Sequence, residues 1–354
     1  MLRTLLFVLL IFNAVHAKQV NFISKTDFYN WIEKVKNAQS VDALTIQDGW
    51  SSREMEFISA EHFHDEDFAY ISQEFINLRY LNFNLNSELT DHSLKNLQTL
   101  TSLQELVFRE TNFSDSGLLF LPQVVPQLKS LTFRGPHQRI NGSTFNEVLK
   151  GLPNLVCLQI DRDYPHATHS IPWRQLTQSL EDSNIEELVL ANGYDLGNDK
   201  SVWSHTFSKM PSLKHIELIR MNENQAQLIL ESIHKLNELS LTATSINDKT
   251  HLPAKLKTLR ISGYIFSNDY PKLLTSLLTS ASDLPELETL DLIPCTYVQE
   301  PLLALETLIL TKYPSLKTLY LHNSDTYKHV HTIGLSIKEK RPELQVFVDY
   351  KEIQ

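Results

Sequence analysis

The sequence is poor in the residue types on which several protein classes depend. It has 9 glycines and 2 cysteines in 354 residues. Two cysteines cannot build a disulfide-rich secreted module, and so few glycines leave little material for loops that cradle phosphate. The 32 basic and 42 acidic side chains give a net charge of −10, and no dense run of Lys or Arg is present. This balance argues against nucleic-acid binding, which needs a positive surface.

The chain also lacks the motifs of the common enzyme classes. It has no P-loop, no glycine-rich dinucleotide turn, no nucleophile elbow and no zincin helix. We therefore expect no enzyme activity, no cofactor and no metal ion. The cluster His62, His64, Asp65 and Asp67 has side chains of the metal-ligand type, but its position before an apolar periodic segment favours the solvated start of a helix.

No apolar run is long enough to span a membrane, which takes about 20 residues. The N-terminus instead has the layout of a secretory signal peptide over residues 1–17: Arg3, the apolar stretch from Leu5 to Phe12, and small residues up to Ala17. This layout predicts cleavage after Ala17 and a secreted or otherwise extracytoplasmic protein. An uncleaved membrane anchor is the alternative.

Two tripeptides match the acceptor pattern for N-glycosylation. They begin at Asn112 and at Asn141, and they would be used only in a eukaryotic secretory pathway. The sequence leaves open whether the host is eukaryotic or bacterial.

What the sequence has in abundance is an internal repeat. An apolar residue, two variable residues, an apolar residue, one variable residue and a third apolar residue recur about every 27 residues. The ten copies are Leu78/Leu81/Phe83, Leu103/Leu106/Phe108, Leu128/Leu131/Phe133, Leu155/Leu158/Ile160, Ile185/Leu188/Leu190, Leu213/Ile216/Leu218, Leu236/Leu239/Leu241, Leu256/Leu259/Ile261, Leu287/Leu290/Leu292 and Leu316/Leu319/Leu321. Weaker copies stand at Val41/Leu44/Ile46 and Leu344/Phe347. The alternation at the end of each copy predicts a short strand with one buried face.

Helical spacing follows the strands. Apolar residues at i, i+3, i+4 and i+7 predict one buried stripe in each of two segments, namely Phe145, Val148, Leu149, Leu152 and Ala226, Ile229, Leu230, Ile233. Thr144 and Glu147 have the spacing of a capping box. Six copies have a proline two residues before the strand, where it ends the preceding helix. Stacked units of strand, turn, helix and return predict an α/β solenoid with a parallel sheet on one side and helices on the other.

The repeat resembles that of leucine-rich-repeat proteins. The helix openings Leu89-Thr90-Asp91-His92-Ser93-Leu94 and Phe113-Ser114-Asp115-Ser116-Gly117-Leu118 are similar to those of the ribonuclease-inhibitor-like and F-box-associated subclasses. The resemblance implies a horseshoe-shaped solenoid over residues 41–350, with about 11–12 repeats. It also implies polar turn residues after the strands, which Asn86, Thr111, Thr244, Cys295 and Ser324 match. The cysteine-rich caps of animal extracellular relatives are missing, and residues 18–40 predict a capping helix in which Phe28, Trp31, Ile32 and Val35 share one face.

Such a fold implies a binding scaffold without naming the partner. The variable strand positions face the concave side, where the resemblance places the partner. Because Arg and Tyr most often anchor interfaces, we expect Arg109, Arg134 and Tyr320 to contact a protein partner. Asp161 and Glu217 belong to an acidic stretch of the same face. Each residue could equally belong to a solvated face with weak ion pairs.

Two further expectations concern this face. A secreted sensor of glycans or small ligands is the alternative function, but Tyr80, Tyr320 and Tyr350 are expected to be too dispersed for an aromatic platform. Cys157 is expected to point outward as a thiol without a catalytic base, and five repeats separate it from Cys295, too far for a disulfide.

Overall fold

The computed structural model describes residues 19–22, 29–31, 40–47, 63–84, 88–109, 111, 113–134, 141–161, 173–191, 197, 199–233, 235–242, 250–262, 284–293, 299–322 and 329–353. The predicted signal peptide, Asn112 and Cys295 lie outside the described residues. The chain divides into two compact units, Met1–Ser130 and Leu131–Gln354.

In the first unit, four strands pair in parallel in chain order. They are β1 (Gln19–Phe22), β2 (Ala43–Gln47), β3 (Tyr80–Asn84) and β4 (Glu105–Arg109). The helices are α1 (Asp65–Glu74), α2 (Asp91–Asn96) with a 3-10 turn at Leu97–Thr99, α3 (Asp115–Leu118) and α4 (Leu121–Val124). Strand β5 (Ser130–Arg134) begins at the last residue of this unit.

In the second unit, eight described strands pair in parallel in chain order and a ninth is antiparallel. They are β6 (Cys157–Asp161), β7 (Glu187–Ala191), β8 (His215–Ile219), β9 (Glu238–Thr242), β10 (Thr258–Ser262), β11 (Thr289–Ile293), β12 (Thr318–Leu321), β13 (Gln345–Val348) and the antiparallel β14 (Lys351–Glu352). The helices are α5 (Gly142–Lys150), α6 (Trp173–Leu180), α7 (Lys200–Ser208), α8 (Glu223–Ser232), α9 (Gln299–Lys312) and α10 (His329–Lys340).

The strand prediction is confirmed for all ten copies of the repeat. The second and third apolar residues of each copy are the second and fourth residues of strands β3 to β12, and all are buried, as Leu188 and Leu190 of β7 illustrate. Side chains alternate between the two faces of a strand, so these residues form the core beneath the strands. The six prolines lie in the turns that precede strands, as predicted.

The helix stripes are also confirmed, but one helix start was predicted wrongly. Asn141, not Thr144, is the N-cap of α5, and its Oδ1 accepts hydrogen bonds from the backbone nitrogens of Ser143 (2.8 Å) and Thr144 (3.1 Å). Thr144 is therefore the third helical residue. Asn is among the strongest N-cap residues, and Thr is somewhat weaker.

Carboxylates at the helix starts link neighbouring repeats in the first unit. Asp65, the first residue of α1, accepts hydrogen bonds from the Thr90 backbone nitrogen (2.9 Å) and the Ser93 hydroxyl (2.6 Å) of the next helix start. Asp91 does the same for the Ser114 backbone nitrogen (2.8 Å). These bonds satisfy donors that a helix N-terminus leaves free, which explains why Ser or Thr followed by Asp recurs there.

The histidine and acid cluster at the start of α1 is used in the same structural way. Asp67 accepts hydrogen bonds from the Tyr29 hydroxyl (2.6 Å) and the His64 backbone nitrogen (2.8 Å). His62 lies outside the described residues. Across the described ranges, His, Cys, Asp and Glu side chains do not gather in threes as a metal ion would require.

The N-terminal segment contains more than the predicted helix. Residues 29–31 are helical, and the Trp31 ring stacks on Phe75 with 6.1 Å between the ring centroids. The segment Gln19–Phe22 forms strand β1, which the sequence did not predict and which pairs in parallel with β2. Phe28, Ile32 and Val35, the other predicted members of the apolar face, lie outside the described residues.

The register predicted for the last repeat is wrong by one residue. The weaker copy Leu344/Phe347 predicts that Phe347 faces the core, but β13 pairs with β12 so that Val346 aligns with Leu319 and Val348 with Leu321. Both valines are buried, and Phe347 takes the outward position beside Tyr320. A slip of one residue exchanges the two faces of a strand.

Candidate partner-binding face

The first, third and fifth residues of the strands lie on the face opposite to the core, which we call the open face. It is the face that the sequence analysis assigns to the concave side. In the second unit several polar residues of the open face are buried by their neighbours: Gln159, Asp161, His215, Ser240, Thr242, Asp291 and His322. Neighbouring strands lie about 4.8 Å apart, so their outward side chains cover one another.

A three-residue ionic group crosses strands β10, β11 and β12. The Arg260 Nε donates a hydrogen bond to Asp291 Oδ2 (2.7 Å), and the His322 Nε2 lies 3.0 Å from Asp291 Oδ1. The side chain of Asp291 is 5% exposed, while that of Arg260 is 35% exposed. A buried carboxylate is costly unless it is paired, so Asp291 is held between two partners and Arg260 keeps one side toward solvent.

Aromatic rings extend this group toward the last strands. The Tyr320 ring stacks on Phe347 with 4.8 Å between centroids and 20° between planes. Tyr350 packs edge-on against His322, with centroids 4.5 Å apart and an angle of 64°. We call Arg260, Asp291, Tyr320, His322, Phe347 and Tyr350 the aromatic–ion cluster.

A second polar group occupies strands β6 to β9. The Cys157 thiol donates a hydrogen bond to the Glu187 carboxylate, and Glu187 aligns with His215 on the next strand. Burial raises the pKa of Glu187, and the nearby Glu238 carboxylate raises it further, while the bond from Cys157 opposes the change.

His215 is enclosed in this group. Its Nε2 lies 2.9 Å from the Ser240 hydroxyl. Burial, with a smaller contribution from the positive charge of Arg260, lowers the pKa of His215 to about 4. His215 is therefore neutral at pH 7. It is 9% exposed and Ser240 is 5% exposed, so a substrate has little access to either side chain.

The five predicted partner residues lie on five different strands. Arg109 and Arg134 are the last residues of β4 and β5, and their side chains lie outside what the structure describes. Asp161 ends β6 and is buried, and Glu217 is the central residue of β8. Tyr320, four strands further on, is the one that belongs to the aromatic–ion cluster.

Sequence reasoning missed the other members of the cluster as a group. Arg260, Asp291 and Tyr320 occupy the same position on consecutive strands, so the repeat alignment could have brought them together. Of the three tyrosines expected to be too dispersed for an aromatic platform, Tyr320 and Tyr350 belong to this cluster and Tyr80 is the first residue of β3. The error in register assigned Phe347 to the core, so it was not expected on the open face.

Comparison with solved structures identifies the architecture. The leucine-rich repeat-containing protein LegL7 of Legionella pneumophila is similar with a TM-score of 0.54 and 18% sequence identity, covering 74% of this chain and 89% of LegL7. The chain has the leucine-rich-repeat solenoid fold. A complex of Rad7 and Elc1 from yeast gives a TM-score of 0.42 at 16% identity over 93% of this chain and 80% of the matched chain. No protein-family model and no curated protein sequence matches the chain.

Among the described residues, no helix of this leucine-rich-repeat structure is long and apolar enough to cross a membrane. Thr111, which matches the polar turn position of leucine-rich repeats, is fully buried. The other matching turn residues, Asn86, Thr244, Cys295 and Ser324, lie outside the described residues.

Proposed function

We propose that the chain is an exported, non-enzymatic scaffold that binds a protein partner through its open face. The aromatic–ion cluster carries this proposal. It presents Arg and Tyr, two of the residue types that most often anchor protein interfaces, on side chains already held by ion pairs and ring contacts. Side chains that are ordered before binding lose less entropy when the partner arrives.

A catalytic role has less support. His215 and Ser240 have the separation of a base and a nucleophile. However, both are about nine-tenths buried, and no third side chain orients His215 among the described residues. We interpret the pair as a structural contact between neighbouring strands.

The proposal of export rests on residues 1–17 and stays a prediction, as do the membership of the ribonuclease-inhibitor-like subclass and the lack of nucleic-acid binding. N-terminal sequencing of the secreted protein should begin at Lys18. In a eukaryotic host the same sample would show whether Asn112 and Asn141 carry glycans. Attachment at the Asn141 side-chain nitrogen would leave Oδ1 as the cap of α5.

A glycan sensor remains the second candidate, because the cluster brings aromatic rings together. A sugar usually stacks on an exposed ring face. The rings of Tyr320 and Phe347 stack on each other, so each covers one face of the other. This arrangement favours a protein partner over a glycan.

The partner can be tested by affinity capture. Mature protein starting at Lys18 would be incubated with native extracellular material, and the retained proteins identified by mass spectrometry. We expect one enriched protein, which is lost when Arg109 and Arg134 are both replaced by Glu.

A matched control reverses two charges away from the open face. Lys150→Glu with Lys209→Glu makes the same change in net charge at two exposed helix ends. Retention by this variant and loss by the arginine variant would support the open face. Equal retention by both variants would contradict a contact of Arg109 and Arg134 with the partner.

A further inference from the structure

The last two strands are joined in a way that is costly for the residues involved. Val348 pairs with Lys351, so the turn between β13 and β14 consists of Asp349 and Tyr350 alone. Both have positive φ, 50° and 64°, as a type I′ hairpin turn requires. Gly is favoured at the second position of such a turn, and a bulky side chain there is strained.

The strained turn places the Tyr350 ring on the open face. The ring contacts His322 and is nevertheless 53% exposed. Burial and the Asp291 carboxylate both raise the pKa of Tyr350, which agrees with a hydroxyl near the ionic group. Strained residues that persist in a fold are concentrated at binding and catalytic sites.

Near Tyr350, the Arg260 side chain is 35% exposed. Its Nε is bonded to Asp291, and its terminal nitrogens make no hydrogen bond to any residue that the structure describes. A guanidinium edge fits a carboxylate with two parallel hydrogen bonds. Asp291 balances the charge of Arg260, and Asp349 and Lys351 at the turn have opposite signs, so the geometry of the guanidinium, and not net charge, selects a carboxylate.

We propose that Tyr350 and Arg260 form the anchoring subsite for an extended segment of the partner protein that presents an Asp or Glu carboxylate next to a large apolar side chain. The carboxylate binds Arg260. The apolar side chain packs against Tyr350 and the ring edges of Tyr320 and Phe347. This inference rests on the proposed function and adds the chemistry of the partner.

The probe is a phage-displayed library of random 12-residue peptides, selected on the mature full chain. We expect the enriched peptides to share an Asp or Glu within two positions of Leu, Phe, Tyr or Trp. A synthetic copy of the most enriched peptide should bind at least tenfold more weakly to Tyr350→Gly. The variant Asp349→Asn alters the same turn, keeps Tyr350 and should bind like the original chain.

Thermal unfolding separates binding from folding. Asp-Gly is a preferred type I′ turn, so Tyr350→Gly should keep the melting midpoint or raise it by about 2 °C. A clear fall in the midpoint would mean that the ring serves the fold, and would overturn the proposal.

A second variant tests the carboxylate. Arg260→Gln combined with Asp291→Asn removes both charges and leaves no buried ion unpaired. It should abolish the preference for the acidic peptide over the same peptide with Asn or Gln in place of the acid. An unchanged preference would overturn the role of Arg260.

The remaining outcomes are also decisive. Enriched peptides that are basic, a selection that enriches nothing, or glycan-array binding that depends on Tyr350 would each overturn the proposed chemistry. The captured partner could be lost with the Arg109/Arg134 reversal and retained by Tyr350→Gly. That result would support the proposed function and refute this subsite.

Discussion

In mild acid His215 lowers the stability of the folded chain. Replacing it by Gln should remove most of this loss of stability. In the folded chain burial lowers the pKa of His215 to about 4 from its ordinary value of 6.5. Between pH 6.5 and about 4, His215 is therefore protonated in the unfolded chain and neutral in the folded chain. Stability from this group is complete above pH 6.5 and falls as the pH drops toward 4.

The magnitude follows from the two pKa values. Between pH 7 and pH 4.5 the proton taken up by the unfolded chain lowers the free energy of unfolding by about 2 kcal/mol. Gln cannot be protonated, and its side-chain nitrogen can replace the His215 Nε2 that contacts Ser240.

Urea unfolding at both pH values, for the original chain, His215→Gln and a control His251→Gln, measures the difference. His251 is exposed, so its replacement should leave the pH dependence unchanged. NMR titration of the His215 ring gives the pKa directly. Equal pH dependence in all three proteins, or a His215 pKa near 6.5, would refute the conclusion that the open face buries its polar side chains.

Three further predictions concern the core and the helix starts, each read from urea unfolding. Asp65→Ala should lower the free energy of unfolding by about 2 kcal/mol, because Thr90 and Ser93 lose their shared acceptor. As a control, Glu66→Ala at the exposed neighbouring position should change the free energy of unfolding by less than about 0.5 kcal/mol. Gly117→Ala should cost about 1 kcal/mol, since its Cβ would lie 2.1 Å from Asp91 Oδ1 and would displace a capping carboxylate. Leu290→Ala, at a fully buried position of β11, should cost about 3 kcal/mol; a loss below 1 kcal/mol would contradict the packed core.

The repeating strands could be predicted from sequence because two independent patterns, alternation within a strand and recurrence between copies, indicate the same buried positions. The residues Leu188 and Leu190, for example, alternate with outward residues and recur in phase with the neighbouring copies. The prediction failed in the last copy, where Val346, Phe347 and Val348 are all apolar and alternation no longer distinguishes the faces. Phe347 is tolerated outward because the Tyr320 ring covers it.

The candidate site was harder to predict than the fold. The prediction of Arg109 and Arg134 rests on residue type, which says nothing about the neighbours that hold a side chain in place. The aromatic–ion cluster depends on register across strands whose residues are far apart along the chain, from 27 positions for Tyr320 and Phe347 to 31 positions for Arg260 and Asp291. Tyr350 gave no hairpin signal, since Asp-Tyr is not a favoured turn sequence.

The helix starts show a further limit of local patterns. Asn141 and Thr144 are both N-cap residue types, and the pattern of Thr144 with Glu147 suggested the wrong one. The structure selects Asn141, whose side chain reaches the backbone nitrogens of Ser143 and Thr144. Tertiary packing contributes as well, since Gly142 lies close to Gln175 of the next helix.

Hydroxyl-radical footprinting of the captured complex tests the central claim most directly. It compares the oxidation of exposed side chains in the free and the bound chain. If the open face binds the partner, Tyr320, Phe347 and Tyr350 should become protected. Tyr70 and Leu335, which are exposed on helices, should be oxidised as before. Protection of Tyr70 and Leu335 with unchanged oxidation of Tyr320 and Tyr350 would contradict binding through the open face.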